Sequence, residues 1–385
     1  KGIGPAYSDR ARRAERDSIR NIRLTDVINN PRNTLHLLRD HYSQLTAILS
    51  TRAYAPTRKQ LASKLGMSTQ TIDECSNNPD ALLCQLPGKI EIWKQIDQFI
   101  KCTLELEARG FIEKNPLWLT HEVKSGKNVL MEGAQAHGLD VTHGIPPFTT
   151  SSNTIASNAY VGGDLPVKYH HKTIGVSKLV CSRVGAGPFV GELGDKTSEE
   201  YCAEKDKDGN THWTKDEEQK IYESQMNELK RSPDPFKFGI YLRMKTGEYG
   251  ATTGRPRRVG IIDLVRLRHA CAINGVDELY LTKADCLQEY HDNVALEGII
   301  PIISHYTLNG QLIDDIPTTA KELREIKPIT KVFATPEHNP EGKYEKSFEA
   351  LPLEIQKIVT YIQEIVATKI VGLGIGPSRD EIIHL

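Results

Sequence analysis

Residues 250–258 read GATTGRPRR, with three arginines, two threonines and two glycines in nine positions. An arginine fork binds a carboxylate or phosphate through two parallel N–H bonds. Threonine hydroxyls add neutral contacts, and Gly250 and Gly254 let the backbone bend around a small ligand. These types at this spacing point to a receptor for a small dianion beside a phosphorylated partner. The plain alternative is a basic surface loop touching RNA. No aromatic residues interleave with the arginines, as stacking on bases would need.

A second stretch, TKAD (282–285), follows the apolar run ELYL. After a strand, such a motif can read guanine. The Asp285 carboxylate accepts from the ring N1–H and the 2-amino group together, and adenine offers neither donor. The Lys283 stem can lie flat on the base. The alternative is an ordinary strand-to-helix turn. VGLGIGPSR (371–379) allows close backbone approach and adds Arg379, or else is only a tight turn after an edge strand. EGAQAHGLDVTHGIPPFTTSSNT (132–154) gathers Gln135, Asp140, His143, Thr150, Ser151, Ser152 and Asn153, side chains suited to a base edge, ribose or phosphate. His143 is either an acid–base catalyst or a brace for its loop, and we favour the brace. VCSRVGAGPF (180–189) repeats the theme with a glycine hinge.

Two patterns fall short as metal sites. EKDKDGNTHWTK (204–215) matches the first half of a calcium loop at Glu204, Asp206, Asp208, Gly209 and Asn210. Its twelfth position needs a bidentate Glu and holds Lys215, so it reads as a solvated turn. His170 and His171 would point to opposite faces of an expected strand and are not paired ligands.

The elements that must hold these stretches read as α/β. NVLMEGA (128–134) and ELYLTKAD (278–285) read as buried strands. Asp263 caps a helix expected over 264–274, and Gly275 is its left-handed stop. From Leu353 to Val366, Ile355, Ile358, Val359, Ile362 and Val366 share one helical face. KIVGLGIGPSRDEII then runs from a strand into a glycine turn. Sheets built this way bind ligands beyond the carboxyl ends of their strands. Residues 1–127 read as mostly helical. The charged stretch 195–245 reads as a surface insertion. One domain over 1–385 is expected.

Composition narrows the class. In 385 residues, 49 Lys and Arg face 50 Asp and Glu. A net charge of −1 is not that of a protein coating nucleic acid or an anionic membrane. No apolar run is long enough to span a bilayer. The seven cysteines are scattered without a C-x-x-C pair and read as reduced thiols in a cytoplasmic protein. The chain opens KGIGPAYS with neither initiator Met nor signal peptide, and upstream sequence is expected.

Taken in order, KGIGPAYSDRARR, EGAQ…HG…TTSSN, VCSRVGAGPF, GATTGRPRR, LTKAD and GIGPSR resemble the adenylosuccinate synthetase family from one end of the chain to the other. The resemblance implies a large, mostly parallel sheet flanked by helices, of the P-loop type, with helical and charged insertions expected within 50–100 and 195–245. It also implies a homodimer that joins IMP to L-aspartate at the expense of GTP, with magnesium. The first step of that reaction removes the N1 proton of hypoxanthine. The 6-oxygen then attacks the γ-phosphate, and the aspartate amine displaces the phosphate.

Roles follow block by block. Arg13 resembles the arginine that reaches across the dimer to the nucleotide 5′-phosphate. Gln135, Thr150, Val184, Gly185 and Arg255 resemble further IMP contacts. Ala251, Thr252, Thr253, Gly254, Arg255, Pro256 and Arg257 resemble the aspartate loop. Arg257, Lys283, Ala284, Asp285, Gly374, Ile375 and Gly376 resemble the GTP site. The phosphate loop, the catalytic base and acid, and the magnesium ligands are expected upstream of Lys1, leaving no metal ligand or catalytic group in this chain. Arg10 stands where the family usually has lysine, Thr142 where an Asp is common and Pro146 where an aromatic is common. These departures leave open a related ligase for a 2-amino purine nucleotide, and a non-catalytic nucleotide-binding paralogue is the reading from another class.

Overall fold

The computed structural model describes residues 6–7, 10–11, 22–49, 89–203, 214–251, 254–337, 339 and 344–385. It divides into two compact units, Lys1–Val129 and Leu130–Leu385. Among its described residues the first is helical, with α1 (Leu24–Asn29), α2 (Pro31–Leu49), α3 (Lys89–Ala108) and α4 (Trp118–Lys124). Val27, Ile96 and Ile100 form a small core there. Thr34 ties α2 back to α1 through its hydroxyl on the Asp26 carbonyl, 2.9 Å away.

The second unit carries ten strands among the described residues: β1 (Ile174–Lys178), β2 (Cys181–Arg183), β3 (Arg258–Gly260), β4 (Ile262–Asp263), β5 (Glu278–Thr282), β6 (Ile299–Leu308), β7 (Gln311–Ile313), β8 (Lys327–Ala334), β9 (Lys369–Gly374) and β10 (Ile382–His384). The α/β class stands. The described strands fall into three sheets. One has the order β1-β5-β9-β10, with β1, β5 and β9 parallel and β10 antiparallel at its edge. A second pairs β2 with β3, and a third sets β4, β7 and β8 around β6.

The helices of this unit that matter most are α5 (Lys215–Tyr222), α6 (Pro235–Thr246), α7 (Leu264–Asn274) and α8 (Leu353–Val366). In α7 the Asp263 carboxylate accepts the Arg266 N–H, and Gly275 ends the helix at φ 59°. In α8 the five apolar residues at helical spacing are all buried. They pack with Leu279, Leu281, Ile370 and Leu373 of the central strands into the main core. Burying each such side chain contributes about 1.5–3 kcal/mol.

Three expectations change. NVLMEGA is not a strand: residues 128–133 have no regular structure, and Leu130 is 84% exposed. A strand needs a hydrogen-bonded neighbour, and among the described residues none pairs with this run. The stretch 195–245 is not simply surface. Its α6 is buried from Phe238 to Arg243, because Phe238, Ile240, Tyr241 and Leu242 supply core apolar area amid the charges. His170 and His171 lie beyond a short turn (Val167–Tyr169), not on a strand, and His170 Nδ1 meets the Tyr160 hydroxyl. The calcium-like turn, from Glu204 to Asn210, lies outside the described residues. The five cysteines that are described are free thiols.

Candidate substrate-binding site

The parallel pairing of β5 with β9 puts their carboxyl ends side by side. TKAD leaves one and GLGIGPS the other, so two ligand-like stretches some ninety residues apart become neighbours. The Ala284 N–H donates to the Gly374 carbonyl at 3.0 Å, which fastens the two loops together. A side chain on Gly374 would meet Thr282 only at ordinary contact distance, whereas one on Gly376 would run into the Glu381 carboxylate. Asp285 is half-buried, and one of its oxygens takes only the weak Cys286 thiol donor at 3.5 Å. Burial raises its carboxyl above the ordinary value, and the Cys286 bond and Lys283 charge only partly oppose this.

Lys283 has a left-handed backbone, φ 66°. That region costs a non-glycine residue about 1–3 kcal/mol, and such residues cluster at functional sites. Its ammonium is held by the Thr246 carbonyl at 2.5 Å and by Glu248 Oε1 at 3.0 Å.

The GATTGRPRR loop is hairpin-like. The Gly250 N–H donates to the Arg255 carbonyl, the Gly254 N–H to the Gly250 carbonyl, and Tyr249 bridges Pro256. Gly254 takes φ 65°, a conformation its missing Cβ makes cheap. The Lys215 N–H reaches the Gly254 carbonyl at 2.9 Å, so the charged segment braces this loop. Ala251 is exposed and Arg255 is half-buried; Thr252 and Thr253 lie outside the described residues. Arg257 bonds Glu248 Oε2 through Nη1 at 3.0 Å, and its buried Nε has no partner.

Arg258, one residue on, is wholly committed. It is 2% exposed, grips Glu192 through Nε and Nη2, and donates Nη1 to the Gly187 and Gly185 carbonyls. Strands β2 and β3 pair antiparallel with Arg183 opposite Arg258. That register sets Val184 and Gly185 beside the exit of the arginine loop. Arg183 donates to the Phe148 and Ala186 carbonyls, so the TTSSN stretch lies close by. Burial above all, with Arg266 and Arg258 nearby, draws Arg183 down to about 10, while Glu199 and Glu192 partly oppose this.

In the EGAQ block Gln135 is exposed with φ 75°, and Thr150 is half-buried with its N–H on the Leu139 carbonyl. Asp140 is not open to a ligand. It is fully buried and accepts backbone N–H bonds from Thr142, His143, Thr154 and Ile155. Burial penalises its charge, but those amides outweigh the penalty and hold its carboxyl below the ordinary value. His143 lines a cleft of about 260 Å³ with His137, Arg266 and His269. Burial, with His269 and Arg266, holds His137 down to about 4 there. Neither TKAD nor GATTGRPRR contributes to this cleft, so it is not where the motifs converge. Arg13 lies outside the described residues.

Sequence reasoning passed over Glu248 and Lys178. Lys178 ends β1, and its ammonium sits 2.7 Å and 2.9 Å from the Glu248 oxygens. Glu248 therefore meets Lys178, Lys283 and Arg257 at once while only 2% exposed. A lone acid two residues ahead of the arginine loop was the available signal. The buried pair Glu218–Arg243 was likewise missed, because its partners lie 25 residues apart in a stretch that looks solvated.

Among the described residues no three His, Cys, Asp or Glu side chains converge as metal ligands. What the described residues bring together is a cluster of three cations, Lys178, Lys283 and Arg257, on the buried Glu248 carboxylate, with the half-buried Asp285 two residues beyond Lys283.

The family model described as adenylosuccinate synthetase matches residues 1–383. The chain is 37% identical over 273 residues to adenylosuccinate synthetase 2 of Cupriavidus pinatubonensis, a match covering 71% of this chain and 55% of that protein. It is 30% identical over 385 residues to adenylosuccinate synthetase of Caldicellulosiruptor bescii, covering 69% of it, and 29% identical to that of Chlorobium chlorochromatii, covering 67%. Thus the chain spans between about half and two thirds of the length of these relatives. The solved, fully ligated adenylosuccinate synthetase of Plasmodium falciparum superposes with a TM-score of 0.60 over 90% of this chain and 75% of that one, at 24% identity, a likeness of fold.

Proposed function

This chain belongs to the adenylosuccinate synthetase family, and on that footing we propose that it is the substrate-binding part of a ligase joining IMP to L-aspartate with GTP hydrolysis. The products are adenylosuccinate, GDP and phosphate. The observation that carries the reading is the meeting of Arg257 and Lys283 on one buried carboxylate, Glu248. In this reading the motif that reads the guanine of GTP and the arginine loop that takes aspartate share one buried anion, which supports two ligand sites held in a fixed relation.

In this reading Asp285 accepts from guanine N1–H and the 2-amino group, Lys283 lies along the base, and the backbone of Ala284 and Gly374 to Gly376 closes around it. Arg255 and Arg257, with Ala251 to Gly254 and Pro256, take the aspartate carboxylates. Their fixed cations make two carboxylates tolerable next to phosphates. Gln135, Thr150, Val184 and Gly185 wall the IMP, and Arg13 serves the partner subunit's site in a homodimer. Cytoplasmic residence fits the free thiols, and no described helix is long and apolar enough to cross a membrane. Magnesium, when bound, supplies charge neutralisation on the transferring phosphoryl group.

The test is turnover by the full-length protein. Adenylosuccinate is expected only when IMP, L-aspartate and GTP are all present, and ATP should not replace GTP. Product formed without aspartate, or no product at all, would overturn the reading.

A further inference from the structure

The central carboxylate of the site belongs to neither ligand motif. Glu248 Oε2 stands 2.7 Å from Lys178 Nζ and 3.0 Å from Arg257 Nη1, and Oε1 stands 3.0 Å from Lys283 Nζ. Among the described residues it is the sole ion-pair partner of all three cations. One negative charge is shared by three positive ones, so the cluster carries a surplus of two positive charges. Burial alone would raise this carboxyl; the bonds and charges of Lys178, Ser182 and Lys283 hold it down to about 2.

The backbone ties point the same way. The Arg257 N–H donates to the Glu248 carbonyl at 2.9 Å, and Thr246, whose carbonyl holds Lys283, ends helix α6 two residues earlier. Glu218 supports the same turn through the Tyr249 hydroxyl and Arg243, and Arg243 donates Nη1 to the Arg257 carbonyl. Engaging Nη1 leaves Nε, on the opposite edge of the Arg257 guanidinium, buried and without a partner among the described residues. That edge is the side-on fork that matches a carboxylate.

We propose that Glu248 is a positioning residue that couples the aspartate loop to the guanine motif, so that each ligand strengthens binding of the other. The inference rests on the functional reading above and deepens it. When a ligand carboxylate takes up the charge of Arg257, the Arg257 claim on Glu248 weakens. Glu248 then holds Lys283 more firmly in its left-handed, base-facing conformation. A shared partner whose charge is divided among competitors transmits occupancy at one site to the other. Linkage makes the effect equal in both directions.

The experiment is titration calorimetry on the full-length protein with IMP present, using GDP so that no turnover occurs. The Kd for GDP is measured with and without saturating L-aspartate, and the Kd for L-aspartate with and without GDP. Wild type should show the same tightening both ways, about fivefold or more. Glu248→Gln, which keeps an oxygen acceptor without the charge, should bring both ratios to one. If that variant does not fold, Glu248→Asp carries the test: it keeps the charge, shortens the reach by one methylene, and should at least halve the coupling. A wild-type ratio of one with both ligands bound overturns the coupling and leaves the functional reading standing. So does a variant that weakens each ligand yet keeps the ratio, because Glu248 would then serve only the fold. Wild type binding neither ligand would sink the functional reading and the coupling with it.

Discussion

Replacing Asp285 by Asn should turn a guanine site into a poor one without disturbing the fold. The side chain is half-buried, pairs with no arginine among the described residues, and gives one oxygen only to a thiol. Its carboxylate is therefore free for two donors of a guanine edge. Bonds to a charged group are worth about 1.5–3 kcal/mol each. Asn keeps one acceptor but sets an amide N–H against the second donor, so the net loss is about 2–4 kcal/mol. At about 1.4 kcal/mol per tenfold, the Kd for GTP should rise about 30- to 700-fold while that for IMP hardly moves. A purine carrying an oxygen in place of the 2-amino group should recover affinity, because it accepts from the new amide. Acidity adds an independent check. Burial raises the Asp285 carboxyl, so GTP affinity should fall as pH drops through that raised value and the charge is lost. Titration of wild type and Asp285→Asn with GTP, IMP and XTP, at several pH values, decides it. Equal losses for GTP and IMP, or no gain for XTP, would refute the argument.

Arg257→Leu should raise the aspartate KM by a factor corresponding to about 2–4 kcal/mol in steady-state kinetics, and lysine there should rescue poorly because it lacks the fork. Arg258→Leu should act on stability instead: it strands Glu192, 8% exposed, and should cost about 3–5 kcal/mol in urea unfolding. Glu218→Gln should cost a similar amount by stranding Arg243, whereas Glu218→Met with Arg243→Met should recover much of it, since a matched apolar pair replaces a buried ion pair nearly neutrally. Asp140 has a folded carboxyl below its unfolded value of about 3.9. Its stabilisation is therefore full above that value and lost as pH falls through the lower, folded one. Asp140→Ala should flatten the acid limb of the stability curve.

The sequence by itself settled what depends on neighbours along the chain. The helix Leu264–Asn274 has Asp263 as its cap and Gly275 as its stop, and the helix Leu353–Val366 buries the five residues its periodicity marked. Caps, turns and helical faces involve groups within about four residues, so local types suffice to read them. The strands Glu278–Thr282 and Lys369–Gly374 were legible for the same reason, and the order of the ligand motifs carried the family.

Only the tertiary structure decided which charges meet. Arg257 and Arg258 are adjacent and chemically alike, yet one lies half-buried against Glu248 and the other is buried on Glu192, 66 residues away. Which way each side chain faces depends on the pairing of β2 with β3, a long-range register that no local pattern encodes. Phe238 to Arg243 looked solvated because charge surrounds them, but their burial follows from what packs on the helix. Asp140 looked like a ligand group until four amides, two of them more than a dozen residues away, were folded onto it. Glu248 follows the same rule: a single acid acquires meaning only when three cations, Lys178 and Lys283 from far along the chain and Arg257 nine residues on, are brought within 3 Å of it.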